Sequence, residues 1–345
     1  MNRMQKYGIA AVIFALFVFT QTGFAGDTYK AKYAGEFLST GAGARALALG
    51  GAFTAISHDV TSIYWNAAGL SQLNYPEATL MHAQRFSGII KYNFAGFAMP
   101  FGTEASLGLG VIRLGIDDII KTSLPRPDLR LGDIYDEDGR QFRNTPIADY
   151  TFSNAEYGIF LSYAKRSSAK LAWGASVKIL QKGFDNTSAW GLGFDVGAQY
   201  QAHEHLILGA NLQDASTTIL AWDTGVKELI VPTLKLGAAS PFRIGFLPGN
   251  FLPVFDMDIR FEGREFASQA NLGTASFDFH SGLEYAFTEQ LAARIGSDVG
   301  HFTAGAGIRF NKFIVDYAFM NHSELQETHR ISILVPLTSP KYRRQ

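Results

Sequence analysis

The feature that most constrains this chain is a two-residue alternation of apolar and polar side chains, repeated in segment after segment. In "VFDMDIRFEG", Phe255, Met257, Ile259 and Phe261 alternate with Asp256, Asp258, Arg260 and Glu262. As a strand, this stretch has one apolar and one charged face. "AWGLGFDVGAQY" sets Trp190, Leu192, Phe194, Val196, Ala198 and Tyr200 against Gly191, Gly193, Asp195, Gly197 and Gln199. "SFDFHSGLEYAF", "FTAGAGIRF", "KFIVDYAF" and "KLAWGASVKIL" repeat the pattern. One face is aromatic and aliphatic; the other is glycine, small polar and charged.

That pattern in strands of about 10 residues is the signature of a transmembrane β-barrel, apolar to lipid and polar to the lumen. A closed barrel also leaves no unpaired backbone edge in hydrocarbon. The alternation predicts an all-β fold, an antiparallel barrel of about 14 strands over 77–337. The connections agree by parity. Joints such as "FGT", "RSSA", "AHE", "FTEQ" and "NK" are short and alternate with long segments at 115–154, 215–231 and 262–275. Three joints break the parity: short outer ones near Ser87 and Gly300, and the longer inner joint "PFRIGFLPGNFL". The segment 115–154 reads as a lid, a docking surface or a passive loop, and sequence does not choose among them.

The start of the chain, Arg3 and Lys6 before an apolar run from Gly8 to Phe19, reads as a signal peptide over 1–25, cleaved after Ala25. Its apolar run falls short of the roughly 20 residues of a spanning helix. The expected location is the bacterial outer membrane. The chain has no cysteine, which excludes disulfides and cysteine-based metal or catalytic sites. A net charge of -1 gives no footprint for nucleic acid. No G-x-S-x-G elbow is present, and "GAGARA" lacks the buried strand a dinucleotide site needs. The reading is therefore a non-enzymatic, monomeric barrel in outer-membrane lipid, with no cofactor and no metal.

The charged faces are expected to meet in the lumen: Asp256, Asp258, Asp278, Glu284 and Asp316 with Arg260, Arg294 and Arg309. Such a set is either a structural network that satisfies buried charge or a selective polar path. Residues 26–76 do not alternate. They suggest a short helix at Ala44–Leu49, a turn at Gly50 and Gly51, then extended chain. Eight strands fill their interior with side chains and 16 to 18 leave a water channel, so about 14 predicts a plug, and this segment is expected to be a hatch.

"GARALALGGAFTAISHDVTSIYWNAAGL" resembles the N-terminal signature of FadL-like outer-membrane proteins, most closely the PorV/PorQ family. The matching positions are Gly43, Ala44, Arg45, Ala46, Gly50, Gly51, Ala52, Ala55, Asp59, Asn66, Ala68, Gly69 and Leu70; Ala67 stands where the family usually has proline. The resemblance covers about 30 residues closely and the barrel only as architecture. It implies a 14-stranded barrel with an inner hatch. The closer likeness to PorV/PorQ makes a part in type IX-like secretion the expected function, with a large translocon or exported protein as partner. A FadL-like chain would instead carry long-chain fatty acids or other hydrophobic compounds. That second reading expects ligand contacts at Leu47, Leu49, Phe53, Ile56 and Trp65, with Arg45 for a carboxylate. The tail after "RISILVPL" is basic and is expected in the periplasm at 338–345.

Overall fold

A computed structural model describes residues 28–29, 35–86, 88–261, 264, 268–321 and 327–344. The expected signal peptide at 1–25 and most of 26–34 lie outside the described residues.

Fourteen strands form the wall. They are β1 (Glu77–Arg85), β2 (Ile90–Phe101), β3 (Ala105–Ser123), β4 (Ile147–Arg166), β5 (Leu171–Phe184), β6 (Thr187–His203) and β7 (Leu206–Gln213). The chain continues through β8 (Thr233–Ala239), β9 (Asn250–Arg260), β10 (Ala275–Ala286), β11 (Leu291–Asp298), β12 (His301–Phe310), β13 (Phe313–Met320) and β14 (Thr328–Pro336). Each pairs antiparallel with its neighbours. β14 pairs with β1 from Glu77↔Pro336 to Gln84↔His329, which closes the barrel. The alternation carries through to three dimensions: Phe255 is 47% exposed, while Asp256 and Asp258 are 2% exposed. Leu80, Trp190, Leu192, Ile295, Phe302 and Ile331 belong to the same exposed apolar exterior. Such a surface is built for hydrocarbon, and the chain is an outer-membrane barrel.

Two departures from the expected layout matter. β3 and β4 run well past the rim into the stretch expected as loop. They pair out to Ser123↔Ile147 through irregularities after Ile116 and Lys121, and a small hairpin (Ile134–Glu137 with Arg140–Arg143) sits above them. Both faces of this extension meet water, so apolar alternation fades although the backbone still pairs. Second, β7 breaks at Asp214 and Thr217, both with positive φ. The short strand Thr218–Trp222 then continues along β6, and Lys227–Ile230 returns beside it.

The segment from Gly35 to Leu73 packs against the inner wall. Its elements are α1 (Glu36–Ser39), α2 (Ala44–Ala48), α3 (Ser62–Trp65) and a 3-10 turn (Ala67–Gln72). The Ala/Leu run favours helix, and Gly50 and Gly51, both at positive φ, end it. The extended chain expected after Gly51 is instead helical in two places. Asp59 Oδ1 accepts from Thr61 N and Oγ1 before α3, and Asn66 Oδ1 accepts from Ala68 N at the 3-10 turn. These contacts, a side-chain turn ahead of α3 and a cap on the 3-10 turn, are ones that alternation cannot reveal.

Thr28–Tyr29 pairs parallel with Lys227 and Glu228 at the outer end, so the segment crosses the lumen before entering β1 at the inner end. The C-terminal tail folds back on that entry. Arg344 Nε donates to Leu73 O, Nη1 to Thr103 O and Ala105 O, and Nη2 to Ser106 Oγ. The basic tail thus ties the exit of the inner segment to the β2–β3 turn.

Candidate functional site in the lumen

The inner segment is held by polar contacts along its whole path. Arg45 makes a two-pronged pair with Glu284, at 2.8 and 2.9 Å. Glu284 also accepts from Arg294 Nε at 2.6 Å, and Arg294 Nη1 donates to Asp316 Oδ1 at 2.6 Å. These four side chains form one chain of alternating charge near the inner end of β10, β11 and β13. Asp256 Oδ2 accepts from the backbone N–H of Phe53 and Thr54 at 2.9 and 2.8 Å. Asn66 Nδ2 donates to Thr54 O and to the wall carbonyls Ala198 O and Ala210 O. Arg330, 1% exposed, gives Nη1 to Gly41 O and Gly43 O and Nη2 to Thr40 O.

Glycines in the wall and in the segment let the two approach. A Cβ on Gly174 would sit 2.5 Å from Ala67 C, and one on Gly50 would sit 2.3 Å from Ser297 O. The signature residues therefore have separable jobs. Gly50 and Gly69 permit contact, since a Cβ on Gly69 would meet Ser57 O at 2.0 Å. Gly43 caps α2 at a φ of 85°, and Gly51 closes it by donating to Ala46 O. Arg45, Asp59 and Asn66 make the side-chain ties already described.

On the outer side of the segment lies a cavity of about 270 Å³. Its apolar wall includes Leu38, Leu47, Trp65, Phe160, Ile230 and Met320. Its polar wall is dense in charge, most of it paired. Lys178 Nζ stands 2.8 Å from Asp195 and 2.8 Å from Asp214, and Thr218 Oγ1 donates to Asp214. Lys235 pairs with Asp258, and Arg264 with Asp278. His280 Nδ1 is 2.9 Å from both Gly50 O and Asp298 Oδ1. Three lining guanidiniums, Arg85, Arg260 and Arg330, have no carboxylate within 4.0 Å among the described residues. The Nε of Arg260 and of Arg330 and the hydroxyl of Thr328 are buried with no acceptor or donor among the described residues.

The charge set read from sequence thus divides. Glu284, Arg294 and Asp316 join Arg45 near the inner end. Asp258 and Asp278 pair around the outer cavity, which Arg260 also lines. Asp256 holds the segment, and Arg309 is exposed near the inner end of β12. Of the apolar set, Leu47 and Trp65 line the cavity, whereas Leu49, Phe53 and Ile56 are buried in the packing between segment and wall. Sequence reading missed Arg85 and Arg330 as cavity residues. The alternation of "THRISILVP" carried the signal for one of them, since Thr328, Arg330 and Ser332 share the inward face of β14.

No protein family and no curated protein matches the chain. Solved structures do. The toluene transporter TbuX of Ralstonia pickettii aligns at TM-score 0.53 and 14% identity, covering 86% of this chain and 98% of that one. The CymD monoaromatic hydrocarbon channel aligns at 0.56 and 13%, covering 87% and 98%. A Pseudomonas aeruginosa FadL homologue aligns at 0.51 and 11%, covering 83% and 96%. At these identities the likeness is one of fold alone.

Proposed function

We propose that this barrel passes small hydrophobic or amphiphilic molecules across the outer membrane, with the N-terminal segment as a hatch. The observation that carries this reading is the outer cavity, half apolar, whose polar wall keeps three guanidiniums without carboxylate partners. Structural neighbours described as toluene and monoaromatic hydrocarbon channels support it, and they favour it over a secretion role. A cavity of about 270 Å³ lies just under the roughly 300–1,000 Å³ of small-molecule sites, so the favoured ligand is small. Arg45 is already engaged by Glu284, and Arg330 by the carbonyls of Thr40, Gly41 and Gly43, so the carboxylate role expected of Arg45 passes to Arg85 and Arg260. A ligand with an acidic head and an apolar body matches both walls better than a bare hydrocarbon, which would leave the guanidiniums desolvated.

The test is uptake into proteoliposomes of toluene and of benzoate, by the native chain and by Arg260→Met. The expected result is uptake of both by the native chain and a roughly tenfold loss for benzoate alone in the variant, the worth of about one charge-assisted hydrogen bond. Native protein that transports neither would end the reading. Co-purification of a giant translocon or secreted cargo from the native host would move it to the PorV-like role.

A further inference from the structure

The connection 240–249 between β8 and β9 is the long joint that broke the short-turn rule of the inner end. It does not hang below the barrel. Phe242 and Phe251 exchange both backbone hydrogen bonds at 2.9 Å, extending the β8–β9 ladder. Phe251 shares the lipid-facing side of β9 with Phe255, and Tyr285 is its partner on the lipid-facing side of β10. The rings stack outward: Phe242 on Phe251 at 5.5 Å, Phe251 on Tyr285 at 4.3 Å, and Tyr285 beside Phe287 at 4.2 Å. The Tyr285 hydroxyl then donates to Pro248 O at 2.6 Å. A residue on the outer wall therefore holds the far side of the connection, which folds back against the exterior. Between these fixed points Phe246 stands 84% exposed, with Leu247 at 39%.

A loop pinned to the lipid-facing wall with a phenylalanine turned out has one fitting surround. We propose that residues 242–249 form an anchor in the inner leaflet, with Phe246 and Leu247 below the headgroups and Arg243 at phosphate depth. The partner is phospholipid. The argument is continuity: the same rim carries Phe287, Leu291, Phe310 and Phe313, all more than 40% exposed, so the loop extends an apolar belt already committed to hydrocarbon. Arg243 follows Phe242 in the loop and gives Nε to Asn250 Oδ1 at 2.6 Å, which leaves the rest of its guanidinium for a phosphate.

The chain's lack of cysteine makes the test direct. Single variants Phe246→Cys and Leu247→Cys carry a spin label in phospholipid nanodiscs, with Ile295→Cys as a mid-belt reference and Ser168→Cys as a reference in another inner turn. The expected result is collision with oxygen approaching the Ile295 level and loss of collision with a water-soluble nickel chelate. Labels that match Ser168 would overturn the anchor. So would labels shielded from both reagents, which would mean packing against protein. Two sites keep the result readable if one substitution disturbs the loop, and a heat-modifiable gel shift confirms that each variant is folded.

Discussion

Replacing Arg45 by alanine tests the tie between α2 and the wall. The side chain gives two charge-assisted hydrogen bonds to Glu284, each worth about 1.5–3 kcal/mol when buried. Side-chain exposures of 17% and 11% leave the pair partly hydrated, so the combined loss is taken at about 2–3 kcal/mol. Each 1.4 kcal/mol is a factor of ten, so local opening of α2 should rise roughly 30- to 150-fold. Hydrogen–deuterium exchange with mass spectrometry reads this in peptides over 44–51, where Leu49 N and Gly50 N donate within the turn. Peptides over 62–72 should be unchanged, because Asn66 and Asn211 hold that stretch independently. Glu284→Gln should cost more, since it strands Arg45 and Arg294 without their shared carboxylate. Unchanged exchange at 44–51 would refute the local tie. Equal acceleration at 62–72 would refute its locality.

Other substitutions give separate readouts. Lys178→Met leaves Asp195 and Asp214 facing each other and should lower stability by about 3–5 kcal/mol, seen in urea titration followed by gel mobility. Adding Asp214→Asn should recover part of that loss. Gly174→Val puts carbon into Ala67 and should leave a closed barrel with an unseated segment, detected as new tryptic cleavage at Arg45. In the outer extension, the hydrogen bond from Lys121 holds the Asp185 carboxyl below its ordinary range. A depressed value stabilises above the unfolded pKa and fails as pH falls through the folded one. The contact should therefore survive the usual carboxylate range and loosen only in stronger acid, read by a spin label at Ile134→Cys; Asp185→Asn should abolish the transition.

The wall was legible because lipid and lumen impose opposite demands on neighbouring residues, so "VFDMDIRFEG" declares both faces. The β3–β4 extension was not, because past the rim both faces meet water and "IDDIIKTS" carries no alternation to read. Which acid meets which base was hidden for another reason. Glu284 meets Arg294 through strand register, but Arg45 arrives from 239 residues away. The 3-10 turn at Ala67 depends on Asn66 finding wall carbonyls, a condition only the closed barrel supplies.

The final strand has a consequence for biogenesis. β14 seals the wall against β1, and the same strand supplies Arg330 to the carbonyls of Thr40, Gly41 and Gly43 and Ser332 to the amide of Ala44. The tail just beyond it supplies Arg344 to Leu73. A segment made before the barrel is thus fastened by the strand that closes the barrel and by the stretch beyond it. A nascent barrel missing its final strand is open at the seam and unlatched within at once, so sealing and latching are a single timed event in assembly.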